Sequence, residues 1–322
     1  MISKKWKERL RLLVPLPMLM LGGCSSQDLW LFRPEGLISK TQFHYFILDV
    51  VIMLLIIIPT TILAIWAMWR YRKGGKGTYA PKWSHSYAIE AIVWGIPLIT
   101  VGILSYLSVK AIYDVNPYNP AIMAKAQKAA GVAPLEVDVV VTDWRWLFIY
   151  PKEQIATVND LVIPVDTPVH FRLTSTSVVN DFIIPQLVGM IDVMPGMRVK
   201  QALVANKPGI YQGFSADYSG AGFSWMHFQT KAVSQTAFAQ WVQDVKKSPQ
   251  QMTYQQFNQF AEPYITVGGG YQYFSHVQAG LFDHVIEETM DGKVWPTPMA
   301  MTENMVQYMQ EQRAKQQSEG GL

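Results

Sequence analysis

VVIMLLIIIPTTILAIWAMW (residues 50–69) and AIVWGIPLITVGILSYLSV (residues 91–109) are two stretches without a single charged side chain. A helix needs about 20 predominantly apolar residues to cross the hydrocarbon core of a bilayer. Both stretches have that length, and each contains a proline, which membrane helices tolerate where neighbouring groups satisfy the freed backbone. The sequence therefore predicts a hairpin of two transmembrane helices, over residues 43–69 and 87–110.

The charges around these stretches predict their orientation. The intervening loop, residues 70–86, carries five basic residues, whereas residues 25–42 carry only Arg33 and Lys40. Because loops rich in Lys and Arg stay in the cytoplasm, we expect this loop to be cytoplasmic and both ends of the chain to be periplasmic. The formal net charge is only +3, and the basic residues lie beside apolar runs. This distribution argues against a nucleic-acid-binding surface.

The first 23 residues have the pattern of a secretory signal, with basic residues before an apolar run. The run ends in Leu21-Gly22-Gly23-Cys24, which resembles a bacterial lipobox and implies cleavage before Cys24 and acylation, for example by palmitate. A generic signal peptide with an incidental cysteine is the alternative. Cys24 is the only cysteine, so this chain can form no internal disulfide or multi-cysteine metal site. Residues 24–42 are predicted to form a periplasmic segment.

Beyond a linker at residues 111–134 the periodicity changes. LEVDVVV (residues 135–141) begins with strand alternation and continues as a β-branched run, and further short strand-like runs follow between Pro and Gly turns. We predict an all-β sandwich or barrel over residues 135–234. Apolar residues at helical spacing then predict a helical extension over residues 235–290. Residues 291–322 are predicted to form a polar, mobile tail.

Two membrane helices followed by a periplasmic β-domain resemble subunit 2 of the haem-copper oxidases, whose domain has a cupredoxin-like fold. The residues that carry the resemblance lie in four places: Trp83-Ser84-His85 with Glu90 to Trp94 and Pro97; Asp143 to Tyr150; Val179 to Pro185 leading to Met194-Pro195-Gly196; and Pro208 to Tyr211 through Met226. Together these motifs cover roughly residues 40–235.

The chain departs from the family at its copper site. In the cytochrome c oxidases, the loop within the last of these four motifs holds a dinuclear copper centre. Its ligands are two bridging cysteines, two histidines, a methionine and a backbone carbonyl. The corresponding positions here are Ser215 and Ser219 for the cysteines, Asn180 and Phe223 for the histidines, Met226 for the methionine, and Asp217 for the carbonyl. Serine hydroxyls cannot replace soft, bridging thiolates. We therefore predict no copper, and no other cofactor, in this chain. Trp144 and Trp146 are expected to be packing residues.

That departure makes the resemblance specific to the cytochrome bo-type ubiquinol oxidases, in which electrons come from a membrane quinol. The resemblance implies that the haems and the active-site copper, CuB, belong to subunit 1. This chain would then be a structural subunit of a proton-pumping ubiquinol:oxygen oxidoreductase in the bacterial inner membrane. Its expected partners are subunit 1, the other oxidase subunits and lipid, with neither cytochrome c nor nucleic acid. A free-standing membrane-anchored adaptor or assembly factor is the alternative from another class.

One side chain is a candidate for chemistry. Glu90 lies where the second membrane helix leaves the cytoplasm, and the resemblance places it near a proton channel of subunit 1. Ionisable groups at membrane depth are often functional. The alternative is an interfacial glutamate that faces headgroups or pairs with a nearby lysine, and the sequence does not decide between the two.

Overall fold

The computed structural model describes residues 29–75, 77–78, 80, 82, 85–116, 131–265, 270–293, 295, 307 and 310. The predicted signal peptide and Cys24 lie outside the described residues, as do Trp83 and Ser84 and most of the predicted linker and tail.

Two long helices form the membrane part of the chain. Helix α1 spans Leu37–Arg70 and α2 spans Tyr87–Val115. Both are long and apolar enough to cross a bilayer, and their most apolar windows are not buried by the rest of the chain. The Tyr45 hydroxyl donates a hydrogen bond of 2.5 Å to the Asp114 carboxylate, which joins the two helices near their outer ends.

Both helices extend beyond the predicted bounds on the periplasmic side. Helix α1 begins at Leu37 rather than at residue 43, because contacts with the β-domain stabilise its first turn. The Gly36 N–H donates to Ser39 Oγ (3.0 Å), and that hydroxyl donates to Gln186 O (2.7 Å). Helix α2 continues to Val115 rather than ending at residue 110, so the first residues of the predicted linker are helical.

The β-domain contains two main sheets. Its strands are β1 (Leu135–Thr142), β2 (Arg145–Tyr150), β3 (Ile155–Val158), β4 (Asp160–Pro164), β5 (Val169–Ser175), β6 (Asn180–Ile184), β7 (Val188–Val193), β8 (Val199–Leu203), β9 (Gly209–Phe214) and β10 (His227–Val233). The order in one sheet is β3-β2-β1-β5-β8, with the short strand Gln272–Phe274 added beside β3, and in the other β4-β10-β9-β6-β7. Parallel pairs β1–β5 and β4–β10 occur among antiparallel neighbours. The predicted cupredoxin-like sandwich is confirmed.

The first sheet is buried on both faces, which explains the β-branched run in its central strand. Val139 and Val141 belong to the core between the two sheets, whereas Val140 belongs to a second core beneath the C-terminal extension. A strand covered on both faces has no solvent side, so its sequence loses the apolar–polar alternation.

The extension is a mixture of helices and short strands. Its elements are α3 (Gln235–Val245), β11 (Gln251–Met252), α4 (Tyr254–Phe260), β12 (Gln272–Phe274), β13 (His276–Val277) and α5 (Leu281–Met290). The predicted helical extension is confirmed, and it also contains short strands. The Thr253 hydroxyl caps α4 by accepting from the Gln256 N–H, and Gly280, in the left-handed conformation with φ 77°, precedes α5. Strand β12 pairs with β3 and so extends the first sheet.

Two side chains at the start of the predicted tail, Lys293 and Trp295, are packed. Trp295 is buried, with its ring centroid 6.1 Å from that of Phe257. The Lys293 ammonium lies 2.6 Å from a Glu288 carboxylate oxygen and over the Trp295 ring. Residues 291–295 therefore include packed side chains, because Trp295 adds apolar area to the second core.

The outer end of α1 is attached directly to the β-domain. Leu37 N–H donates to Val204 O (3.1 Å), Glu35 N–H donates to Gln186 O (2.8 Å), and Ile38 is buried in the core. A Cβ on Gly36 would lie 2.5 Å from the Leu187 carbonyl oxygen, so only glycine fits this close approach. These contacts set the position of the domain relative to the membrane helix.

Candidate functional site

The positions that correspond to the family's copper ligands, here called the copper-site positions, lie together at one end of the second sheet. Asn180 is the first residue of β6, Ser215 follows β9, and Met226 immediately precedes β10. Strands β9 and β10 pair with each other, and β6 pairs with β9 through Ile183 and Phe214. The segment from Ser215 to Met226, here called the loop, therefore closes beside the start of β6.

Ser215 is the centre of one small hydrogen-bonded group. Its hydroxyl oxygen accepts from the Asp181 N–H (3.1 Å), and its proton can go to Asn180 Oδ1 (3.4 Å) or to the carbonyl of Asp217 (3.3 Å). The Asn180 amide donates to Val178 O (3.1 Å). Ser215 and Asn180 are buried, so the loop depends on these bonds to satisfy their polar groups.

Ser219 and Met226 form a second group in the loop. The Ser219 hydroxyl donates to Met226 Sδ at 3.7 Å, a weak bond, and both residues are buried. The indole N–H of Trp144 donates to the Ser219 carbonyl at 3.0 Å. A Cβ on Gly222 would lie 2.1 Å from the Trp144 ring, so the loop requires glycine there. Trp144 is fully buried and packs on the loop. Trp146 is also fully buried and packs in the core between the sheets.

At the two remaining copper-site positions, Phe223 and Asp217, the side chains take no part in these two groups. Phe223 is half-buried in a 3₁₀ turn, and its ring meets that of exposed Tyr218 at a centroid distance of 5.6 Å. Asp217 directs its carbonyl to Ser215 while its side chain is exposed. His227 is the exposed first residue of β10, and its Nε2 lies 3.0 Å from Ser224 O.

The donor set at this site does not fit a dinuclear copper centre. It offers two hydroxyls, one amide and one thioether, and the hydroxyls and the amide are engaged in internal hydrogen bonds. Copper of this kind needs thiolate and imidazole ligands. Within the part of the chain that the structure describes, no group of three or more His, Cys, Asp or Glu residues is placed to hold a metal ion.

Carboxylates beside the loop influence one another. Burial raises the pKa of Asp181 to about 6, and the hydrogen bond and charge of Asp192 and the charge of Asp217 act in the same direction. Asp181 and Asp192 face each other across β6 and β7. Because two nearby carboxylates resist simultaneous ionisation, this pair holds a proton more readily than an isolated aspartate.

Arg145 is a residue whose role sequence reasoning missed. Its guanidinium is buried between the rings of Phe260 (4.1 Å) and Tyr264 (4.9 Å) and donates to the carbonyls of Phe260 and Glu262, the latter at 3.1 Å. Burial lowers the pKa of Arg145 to about 10. A lone cation between two tryptophans in an apolar strand was the signal that could have indicated a buried charge with specific partners.

The same turn contacts both the loop and the extension. Residues 143 and 144 connect β1 to β2, and Trp144 has a positive φ of 114°. The Tyr264 N–H donates to Asp143 O at 2.9 Å, while the Trp144 indole reaches Ser219 on the loop. The β1–β2 turn thus connects the loop to the C-terminal extension.

Glu90 lies in the first turn of α2, after the N-cap residue Ser86. Its carboxylate contacts Nδ1 of His85, and the two side chains are about half exposed. The structure places the His85 imidazole beside Glu90, where a lysine was the alternative partner expected from the sequence.

Comparison with known proteins agrees with this architecture. Residues 131–233 match the family model described as "Cytochrome C oxidase subunit II, periplasmic domain", and residues 246–293 match "COX Aromatic Rich Motif". The β-sandwich and the two-helix hairpin, together with these matches, place the chain in the class of haem-copper oxidase second subunits.

Three relatives make the assignment specific. "Cytochrome bo(3) ubiquinol oxidase subunit 2" of Pseudomonas putida is 42% identical over 81% of this chain and 81% of its own length. "Ubiquinol oxidase subunit 2" of Acetobacter aceti is 39% identical over 86% and 87%. "Quinol oxidase subunit 2" of Bacillus anthracis is 36% identical over 80% and 86%. The chain belongs to the family of cytochrome bo-type ubiquinol oxidase subunit 2.

Proposed function

We propose that this chain is the non-redox second subunit of a proton-pumping ubiquinol:oxygen oxidoreductase of an aerobic respiratory chain. In this proposal electrons pass from ubiquinol directly to subunit 1, which contains the haems and CuB. The second subunit supplies two membrane helices and a periplasmic domain that covers subunit 1. Family membership favours this function over a free-standing adaptor.

The donor set at the former copper site is the observation that carries the proposal. Electrons from cytochrome c would need a metal centre in this domain to receive them. Ser215 and Ser219 supply hydroxyls and Asn180 supplies an amide. Ser215 bonds to Asn180, and Ser219 bonds to Met226. The only cysteine of the chain, Cys24, lies far outside the domain in sequence.

The decisive experiment is oxygen consumption by the oxidase complex purified through a tag on this chain. We expect turnover with a soluble ubiquinol and none with reduced cytochrome c. Co-purified haem, measured by its absorbance, is the control for an intact complex. Turnover with cytochrome c would refute the proposed route of the electrons, and isolation without haem would favour the adaptor.

The proposed structural role rests on the junction between α1 and the β-domain. The bonds of Leu37 and Ser39 to the domain give it a fixed place above the membrane helices. Deleting residues 135–234 should therefore prevent stable assembly of subunit 1 and reduce its haem content. Full haem insertion without the domain would show that it is dispensable for assembly.

Cys24 is proposed to carry the lipid that anchors the mature N-terminus at the periplasmic face of the inner membrane. The lipobox-like sequence before it supports this assignment. Radiolabelled palmitate should be incorporated into the chain, and Cys24→Ser should abolish the labelling. Labelling that persists in Cys24→Ser would contradict the assignment.

Glu90 is proposed to take up protons at the cytoplasmic end of α2, with His85 as its partner. Glu90→Gln in the assembled complex should slow quinol oxidation, whereas Glu136→Gln, on the periplasmic domain, should not. Equal rates in Glu90→Gln and the unchanged complex would leave Glu90 as a surface residue paired with His85.

A further inference from the structure

An apolar cluster lies at the outer end of α1, apart from the copper-site positions. It consists of Leu29, Leu31 and Phe32, which precede the helix, together with Phe43 and Phe46 on the helix. Leu29, Leu31 and Phe32 are 43%, 46% and 53% exposed, and Phe46 is 37% exposed. Large apolar side chains grouped at a surface indicate a surface that is covered in the assembled molecule.

The segment before α1 folds back along the helix toward the membrane. Residues Trp30–Phe32 form a 3₁₀ turn. The Phe32 ring centroid lies 6.0 Å from that of Phe43 and 6.3 Å from that of Phe46, both in edge-to-face geometry. At a rise of about 1.5 Å per residue, Phe46 lies roughly 13 Å along the axis from the start of the helix. Phe32 is therefore far nearer the bilayer than the residues that attach α1 to the domain.

The inner end of α1 allows the position of the outer boundary to be calculated. The Arg70 guanidinium lies over the Trp66 ring (5.3 Å) and that of Arg72 over the Trp69 ring (5.2 Å). Trp with adjacent Arg is typical of a membrane–water interface. A hydrocarbon core of about 30 Å corresponds to about 20 helical residues. Counting back from these tryptophans places the outer boundary at residues 46–49, the level of the cluster.

We propose that the cluster is a lipid-contact surface, with Leu29, Leu31 and Phe32 inserted at the periplasmic interface of the bilayer. The surface is continuous with the exposed apolar side chains of α1, such as Ile47. Exposed Arg33 and Lys40 flank it and can meet lipid phosphates.

This surface gives the β-domain a second contact with the membrane. The Trp30 ring centroid lies 6.0 Å from that of Phe214, at the end of β9 next to the loop. The turn therefore contacts lipid on one side and the domain on the other. Cys24 is five residues before Leu29, a span of at most about 18 Å, so the proposed lipid anchor lies within reach of the same interface.

The test is photocrosslinking in the intact oxidase, reconstituted in nanodiscs of phosphatidylethanolamine and phosphatidylglycerol. The photoreactive residue p-benzoylphenylalanine replaces Phe32, which keeps an aromatic ring at an exposed site. We expect phospholipid-mass adducts on the peptide that contains residue 32. The same replacement at Tyr218, which is 75% exposed on the domain, should give none.

Replacement at Ile57, an exposed residue in the middle of α1, is the positive control for lipid. Adducts at Ile57 together with crosslinks from Phe32 to another oxidase polypeptide, or with no adduct at Phe32, would overturn the proposal. An Ile57 variant without lipid adducts would overturn the membrane span on which the proposal rests. Haem content and quinol turnover of each variant report separately on the proposed function.

Discussion

The β1–β2 turn contacts the loop on one side and the C-terminal extension on the other, and the two sets of contacts differ in kind. On one side Trp144 donates one neutral hydrogen bond to the loop, in which the Ser215 and Ser219 hydroxyls make contacts of 3.1–3.7 Å. On the other side the buried Arg145 cation donates to two carbonyls of the extension and lies between two aromatic rings. Hydrogen bonds from a charged donor are roughly twice as strong as neutral ones.

This difference indicates which side the fold depends on. The loop retains the shape of a metal site, but neutral side chains have taken the place of metal ligands. The extension is anchored by a buried charge and by a core of its own. We infer that the contacts with the extension stabilise the β1–β2 turn. The β1–β2 turn then positions the loop.

Restoring ligands to the loop should produce the largest change. In the combined variant Asn180→His, Ser215→Cys, Ser219→Cys and Phe223→His, thiolates and imidazoles join Met226 and the Asp217 carbonyl. Because these ligands suit copper, we expect binding to rise from none to about stoichiometric, measured as copper content and visible absorbance of the complex. The same variant with Ser219 retained is the matched control and should bind far less. No copper in the full variant would show that the loop has lost the geometry as well as the ligands.

Replacing the buried cation should have the next largest effect. Arg145→Met keeps most of the apolar stem but leaves the carbonyls of Phe260 and Glu262 without their donor. We expect a loss of about 2 kcal/mol of local stability in residues 246–293, measured by hydrogen exchange of the intact complex.

Arg198→Met is the control for Arg145→Met. Arg198 is an exposed partner of Asp283, and surface ion pairs contribute about 0–1 kcal/mol. Similar effects of the two variants would contradict the proposed difference between the two sides of the turn.

The sequence predicted the two membrane helices and the cupredoxin-like domain, because long apolar runs and short β-branched runs are strong local signals. It also identified Asn180, Ser215 and Ser219 as one site, through motif order. It did not predict the partners of Arg145, since Phe260 and Tyr264 are more than a hundred residues away and only tertiary packing brings them together. The early start of α1 likewise depends on bonds to Gln186 and Val204.

Single changes at the two serines should be smaller and unequal. Ser215→Ala leaves the buried Asp181 N–H without an acceptor, whereas Ser219→Ala removes only a weak bond to sulfur. We expect losses of about 1 kcal/mol and less than about 0.5 kcal/mol, respectively, in local stability by hydrogen exchange. Threonine at each position, which keeps the hydroxyl, is the control. A larger loss for Ser219→Ala would mean that Trp144 and Met226 govern the loop more than β6 does.

A pH dependence at Asp181 should be the smallest effect, because its partner Asp192 is exposed and water screens the charges of the pair. The pKa of Asp181 rises from the ordinary 3.8 to about 6, chiefly through burial, so the folded state favours the protonated carboxyl. The resulting stability is fully present below about pH 4 and is lost as the pH rises to about 6. Hydrogen exchange of β6 and β7, corrected for intrinsic rates, should therefore quicken across this window.

Asp181→Asn should abolish the profile. Asp192→Asn should flatten it only in part, because the burial of Asp181 remains while the hydrogen bond and charge of Asp192 are lost. Asp217→Asn is the matched control and should flatten it less, because the charge of Asp217 is the weakest of the contributions to Asp181. A profile unchanged by Asp181→Asn would assign the pH dependence to other groups. The carboxylates beside the loop would then have no influence on it. The hydrogen bond from the Asp181 N–H to Ser215 Oγ would be independent of the charge on the Asp181 side chain.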